Sequence, residues 1–207
     1  MPHIKEKVER RLGEKLFLKG ERCTGPKCAA TRRAYPPGVH GKRRTRRREG
    51  SEFGILLREK QKIRYLYGLD DKEIKRYSTI ASARTGVFSV LFFRLLEGRL
   101  DNVVYRLGLA ESRRSARQMV GHGHITVNGR LISAPSHQTS KGDVIALKER
   151  AERLGIAARI TERLKKYEAP RWLSLDRAKK SGTISGIPET DATVMIDPTK
   201  IKEFYSR

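Results

Sequence analysis

After Gly50 the apolar residues fall into helical register. Phe53, Leu56, Leu57, Ile63 and Tyr67 lie near one face at i, i+3, i+4 spacing, and Arg58, Lys62 and Tyr65 fall elsewhere. Ser51 is placed to cap this helix and Gly68 to end it. Asp70 followed three residues on by Glu73 has the form of a capping box, opening a second helix through Ile74, Tyr77 and Ala81. A third helix is predicted from about Phe88 to Glu97, stopping near Gly98. Beyond it the pattern changes. Leu100, Val103, Val104 and Leu107 form a stripe that ends at Gly108, and Ser112 can cap a following helix with Ala116, Met119 and Val120 turned inward. Residues 124–132 then carry Asn128-Gly129 between two β-rich runs, the strongest short-range hairpin signal. Lys141-Gly142-Asp143 reads as a turn and Val144 to Leu147 as a strand. Ala151 to Tyr167 is helix-like, with Leu154, Ala158 and Leu164 apolar, and 172–175 and 183–185 are strand-like. Glu203 to Arg207 closes the chain, and no internal repeat is found. The predicted class is α+β: an all-α region, then two short helices leading into a small antiparallel sheet.

The first fifty residues depart from this pattern. They are dense in Arg and Lys, carry the turn signals Gly25-Pro26 and Pro36-Pro37-Gly38, and end in the run from Lys42 to Arg48. Few apolar residues are available there for a core, so the segment is expected to be an arm that orders on a partner, because burial cannot offset backbone entropy.

Charge narrows the partner. The 207 residues hold 46 Lys+Arg against 23 Asp+Glu, a formal net of +23, with 37% hydrophobic residues. Such a chain attracts polyanions. A membrane is disfavoured: the most apolar run, Val87 to Leu96, is broken by Arg94 and falls far short of the ~20 residues that span a bilayer. The N-terminus lacks an apolar signal core, and neither end carries a lipidation motif. Nucleic acid is the expected partner. Two cysteines, Cys23 and Cys28, and no export signal point to a reducing compartment without a structural disulfide.

Candidate chemistry is that of phosphate binding. The arm's guanidinium groups are permanently charged and bind oxyanions bidentately; Tyr35 and His40 set among them argue against a plain solvated tail. On the helix after Ser112, Arg113, Arg114, Arg117 and Gln118 lie on the outer side, and Arg113 and Arg117 are i, i+4 neighbours with no acid between them. Their mutual repulsion is relieved if phosphate neutralises them, and the helix N-terminus adds partial positive charge. His122 and His124 alone do not make a metal site, and Cys23-x4-Cys28 is half of one. No phosphate loop, metal-binding helix, nucleophile elbow or dinucleotide fingerprint occurs, so no enzymatic activity and no cofactor are expected.

The stretch from Arg99 to Gly108, continued by Ser112 to Arg130 through Gly121-His122-Gly123-His124 and Val127-Asn128-Gly129, resembles the S-four RNA-binding module, named after ribosomal protein four of the small subunit. That module also occurs in pseudouridine synthases, aminoacyl-tRNA synthetases and heat-shock RNA binders. Leu16 to Cys23, Pro26 to Ala29, Tyr35-Pro36-Pro37-Gly38 with His40-Gly41, Leu57 to Lys62 and Glu203 to Arg207 are similar to the bacterial-type S-four ribosomal protein family, over essentially the whole chain. The resemblance implies an α+β protein in three parts: a basic arm (1–50) ordered on RNA, an all-α domain (51–98) completed by 198–207, and an inserted S-four-type domain with its C-terminal extension (99–197). It implies direct binding of small-subunit ribosomal RNA, a part in nucleating assembly of the subunit body, and an influence on translational accuracy. It also implies as neighbours ribosomal protein five and messenger RNA where it enters the subunit.

The RNA-binding residues expected from the two readings together are, in the arm, Arg10, Arg11, Lys19, Arg22, Lys27, Arg32, Arg33, Tyr35, His40, Lys42, Arg43, Arg44, Arg46, Arg47 and Arg48. In the all-α domain they are Arg58 and Lys62, and in the module Arg99, Asn102, Arg106, Arg113, Arg114, Arg117, Gln118, His122, His124, Asn128 and Arg130. One departure matters. Zinc-bearing members of the family carry a second Cys-x2-Cys pair upstream, where this chain has Glu6-Lys7-Val8-Glu9. Carboxylates are poorer structural zinc ligands than thiolates, so no metal is expected.

Overall fold

The computed structural model describes residues 5–42, 51–149, 156–188 and 196–206. They fall into two compact units, one of residues 1–92 with 191–207 and one of residues 93–190.

In the first unit, α1 (Lys5–Leu12) and α2 (Ala29–Arg32) flank a short 3-10 turn, Gly20–Cys23. These residues were expected to lack a core. They bury Val8, Leu12, Leu16, Cys23 and Cys28. Val8 and Leu12 share one face of α1, Leu16 is buried beyond the end of that helix at Gly13, and the two cysteines act as small apolar groups. A helix α3 (Glu52–Tyr67) follows, capped by the Ser51 hydroxyl, which accepts from the Gly54 N–H at 3.2 Å, and closed by Gly68 at φ +66°. Its buried face is Leu56, Ile63, Leu66 and Tyr67 with Glu59, Lys60 and Lys62, whereas Phe53, expected inside, is exposed and rests against Phe204. The capping box of α4 (Asp71–Ala83) is present in both directions: Asp70 Oδ1 accepts from Glu73 N at 2.7 Å and Glu73 Oε2 from Asp70 N at 3.1 Å. The last helix in sequence, Pro198–Ser206, packs on α3 and α4.

The chain leaves this unit within α5 (Phe88–Glu97). The second unit packs α6 (Leu100–Arg106) against α7 (Arg113–Gly121), the latter capped by Ser112. A five-stranded, wholly antiparallel sheet follows, in the order β2-β1-β3-β5-β4. Its strands are β1 (Ile125–Val127), β2 (Arg130–Leu131), β3 (Val144–Leu147), β4 (Leu173–Asp176) and β5 (Ser181–Ile184). Asn128 and Gly129, at φ 50° and 77°, make the predicted hairpin turn. The helix expected over 151–167 is observed as α8 (Ile156–Leu164), its earlier part lying outside the described residues, and the C-terminal helix is α9 (Pro198–Ser206). Leu100, Val104, Leu107, Ala116, Val120, Ile125, Ile145, Ile160, Leu164 and Trp172 form one continuous core.

Gly108 shows how tightly that core is closed. It sits at φ +76°, and a Cβ there would lie 2.7 Å from the Tyr167 ring. The ring cannot yield easily, because its hydroxyl donates to the Arg106 carbonyl at 3.0 Å. Gly108→Ala therefore combines left-handed backbone strain with overpacking, and should destabilise the second unit by about 2–4 kcal/mol. The lone tryptophan, Trp172, is buried in this unit and reports its unfolding by fluorescence; an unchanged denaturation midpoint would refute the assignment.

Candidate nucleic-acid interface

In the second unit the cationic helix α7 stands on two buried carboxylates. Glu97, at the end of α5, is fully buried. Arg106 grips it bidentately, Nε to Oε2 and Nη2 to Oε1, both at 2.9 Å, and Asn102 Nδ2 donates to Oε2 at 2.8 Å. Arg113 reaches the same carboxylate at 3.8 Å, donates from Nε to Asn102 Oδ1 at 2.7 Å, and lies over the Tyr105 ring. Asp101 serves the next pair: Arg99 binds it through Nε and Nη2 at 3.0 and 2.9 Å, and Arg117 approaches at 3.7 Å. The loop at 135–139 pins this junction. Leu100 N donates to His137 O, Asp101 N to Pro135 O and Thr139 N to Gly98 O.

This arrangement corrects several sequence expectations. Arg99 and Asn102 are buried, with 0% and 1% exposure, and offer no surface to a polyanion. Arg106 has its guanidinium taken up by Glu97. Arg113 and Arg117 do have acidic neighbours, contributed by α5 and α6 rather than by their own helix. Asn128 uses its side chain within the hairpin, donating to Asp143 and accepting from the Val144 N–H. Exposed on α7 and the following turns are Arg114, Gln118, His122 and Arg130, with Arg117 and His124 half-exposed. The buried acids hold a cationic ridge in place without neutralising its outer members.

In the first unit Lys62 is likewise withdrawn. Its ammonium lies 2.7 Å from Glu59 and 2.8 Å from Glu14. Burial pulls its pKa down, and the hydrogen bonds it donates to Glu14 and Glu59 outweigh this, leaving it above the ordinary lysine value. Arg58 remains exposed. Arg10 is spent on the turn that follows α2: Nε donates to the Arg33 and Tyr35 carbonyls at 2.9 and 3.0 Å, and the guanidinium covers the Tyr35 ring. Gly41 closes that turn, since a Cβ there would collide with the Pro36 carbonyl. Lys19 pairs with Glu6 at 3.0 Å, and so does Arg22 at 3.1 Å, which keeps Glu6 below the usual carboxylate pKa. Arg11, Arg22, Lys27, Arg32, Arg33, His40 and Lys42 are exposed and Tyr35 half-buried. Arg43, Arg44, Arg46, Arg47 and Arg48 lie outside the described residues.

The residues around the two cysteines do not fit a zinc ion. Glu9 Oε1 accepts from the Leu16 and Leu18 N–H groups, both at 3.1 Å, and the Cys23 sulfur accepts from Lys19 N at 3.3 Å. Burial pushes the Cys23 thiol up, away from the thiolate a metal requires, whereas at Cys28 burial is outweighed by hydrogen bonds from Thr31 and Ala30, which lower its pKa. Among the described residues no three His, Cys, Asp or Glu side chains are grouped to hold a metal.

Two family profiles match the chain: the ribosomal protein S4/S9 N-terminal domain over residues 1–97 and the S4 domain over residues 98–145. The small ribosomal subunit protein uS4 of Thermus thermophilus is 47% identical over 199 residues, covering 96% of this chain and 94% of that protein. The chain belongs to the uS4 family. The uS4 proteins of Halothermothrix orenii and Syntrophomonas wolfei subsp. wolfei are 46% and 44% identical over the same shares of each chain. Within this uS4-family chain the Glu97 and Asp101 clusters fall at the junction of the two profiles, where the N-terminal match ends and the S4 match begins.

Proposed function

We propose that the chain is a structural protein of the small ribosomal subunit that binds small-subunit ribosomal RNA directly. Its place is then the cytoplasm, within the ribosome, and it is not an enzyme. The observation that carries this reading is 47% identity to a uS4 protein across 96% of the chain. The ridge on α7 supports it physically, because Arg114 is exposed and Arg117 half-exposed on one rigid helix, a form suited to a phosphate backbone. On the strength of the resemblance we also propose contacts with ribosomal protein five and with messenger RNA, a nucleating role in subunit assembly, and an effect on translational accuracy. The arm, the all-α domain and the inserted module are proposed to share the RNA, with Arg114, Gln118 and the exposed arm cations making the contacts.

Co-sedimentation with small subunits through a high-salt wash tests the reading; recovery only in the free fraction would overturn it. A sharper expectation separates ridge from foundation. Arg114→Ala should leave stability within ~0.5 kcal/mol, as for most surface positions. It should weaken binding to small-subunit RNA by roughly 1.5–3 kcal/mol for a lost charged hydrogen bond. It should also reduce the slope of log K against log salt by about 0.7–0.9 for a lost phosphate. Arg113→Ala should instead lower the unfolding midpoint, because its guanidinium is part of the Glu97 cluster. Equal behaviour of the two variants would show that the ridge is misplaced.

A further inference from the structure

Beside the ridge, α7 and α8 enclose a groove of about 370 Å³ that the sequence pattern does not announce. Its floor is apolar, made by Leu109, Met119 and Ile160, all at least nine-tenths buried. Its rim is polar, with Ser115, Gln118, His122 and His124 on one side and Arg159 and Arg163 on the other. The acid on the rim is Glu111, paired with Arg163 at 3.4 Å, so Arg159 leaves the rim with a positive balance. Arg163 is held further by its reach to the Gly108 carbonyl at 3.5 Å.

An ion-binding site has no need of an apolar floor, and a site for an aliphatic side chain has no need of such a rim. Together they match a flat heteroaromatic ring that carries donors and acceptors at its edge and an anion at one end. The volume lies in the range of roughly 300–1,000 Å³ typical of small-molecule sites and is far too small for a helical duplex. Gln118 offers both donor and acceptor capacity, and an imidazole can supply either. Unpaired bases are splayed out and read in this way by RNA-binding proteins.

We propose that this groove seats one unpaired nucleotide of an RNA strand, its base over Met119 and Ile160 and its phosphate against Arg159. The proposal rests on the reading that this unit binds RNA and adds to it a specific preference for a single-stranded nucleotide beside the ridge.

The test uses the full chain labelled with carbon-13 at its methionine methyl groups, of which Met119 reports on the groove floor. The probes are a short oligouridylate, an RNA duplex of equal length and uridine 5′-monophosphate. Oligouridylate should move the Met119 methyl resonance upfield, the monophosphate should do so more weakly, and the duplex should leave it in place. Ser115→Phe, which fills the mouth, should weaken oligouridylate binding about tenfold, the scale of one lost base contact, and Arg159→Glu, which removes the phosphate contact, should weaken it by about the same factor. Duplex affinity should be unchanged by Ser115→Phe. Trp172 fluorescence confirms folding of each variant, and if Ser115→Phe does not fold, Arg159→Glu decides alone. A Met119 resonance that ignores oligouridylate, with affinity for small-subunit RNA intact, would overturn the groove and leave the proposed function standing. A response to the duplex equal to that of the single strand would overturn it too, as would tighter binding of the monophosphate than of the strand.

Discussion

Glu97→Ala should destabilise the second unit by about 3–5 kcal/mol, the range found when one partner of a buried ion pair is removed. The carboxylate is fully buried and accepts from Arg106 twice and from Asn102 once, with Arg113 alongside. Removing it strands the Arg106 guanidinium beside a void, while Asn102 keeps the Glu97 backbone carbonyl at 3.0 Å, and the cost of the stranded charge exceeds the lost packing. Glu97→Gln keeps the shape and one acceptor but not the charge, and should fall between wild type and alanine. Arg106→Leu in the Glu97→Ala background removes the stranded charge and should restore part of the loss, a coupling that a double-mutant cycle measures. Denaturant titration followed by Trp172 fluorescence reads all of these. RNA binding provides a second readout. Arg113 loses an anchor in Glu97→Ala, so affinity should fall even under conditions where the unit remains folded. A midpoint within ~0.5 kcal/mol of wild type would show that the cluster is solvated in solution and does not organise the ridge.

Much of the local structure was legible because its causes are local. Ser51, Gly68, the Asp70–Glu73 box, Ser112 and Asn128-Gly129 each act within a few residues of themselves, and each appears where its chemistry requires. What was not legible depends on distant partners. Nothing within four residues of Arg113 or Arg117 announces Glu97 or Asp101, which lie on α5 and α6 and meet α7 only once the helices pack. Lys62 looked like a surface cation because Glu14, its second partner, is 48 residues upstream. The sheet's central pairing, β3 with β5, joins Val144 to Thr183 across a helix and a strand, and although both strands are legible their pairing is not, because nothing local to either specifies the partner. The core of residues 5–42 is obscured in the sequence for a different reason. Only Val8 and Leu12 sit on α1, Leu16, Cys23 and Cys28 follow it without a regular period, and dense charge surrounds all five. Arg159 and Arg163 carry no signal of a site, because nothing in the sequence places α8 beside α7.

The C-terminal helix should prove as necessary to the first unit as Glu97 is to the second. Ile201 on α9 is fully buried, and α9 packs on α3 and α4. Phe204 packs on Phe53 in a tilted pair with ring centres 5.7 Å apart, and the Lys60 ammonium sits 4.4 Å from the Phe204 ring centre. At the start of the helix Asp197 N donates to Glu59 Oε2 at 3.3 Å, joining α9 to the same carboxylate that binds Lys62. At its end the Tyr205 hydroxyl donates to the Asp71 carbonyl at 3.4 Å; burial and the Asp71 charge push that phenol up to about 12. Ile201→Ala should cost about 2–5 kcal/mol, the range for emptying a buried aliphatic site. Ile201→Asp places an unpaired charge there and should exceed about 4 kcal/mol. The two reporters should then separate. Far-ultraviolet circular dichroism should lose part of its helical signal at lower denaturant, from the first unit, while the Trp172 transition of the second unit stays in place. A Trp172 transition that moved in step would show one cooperative body rather than two units. A circular dichroism profile unchanged by either substitution would show that α9 is not part of the first unit's core, and the aromatic contacts of Phe204 would then contribute nothing to holding it there.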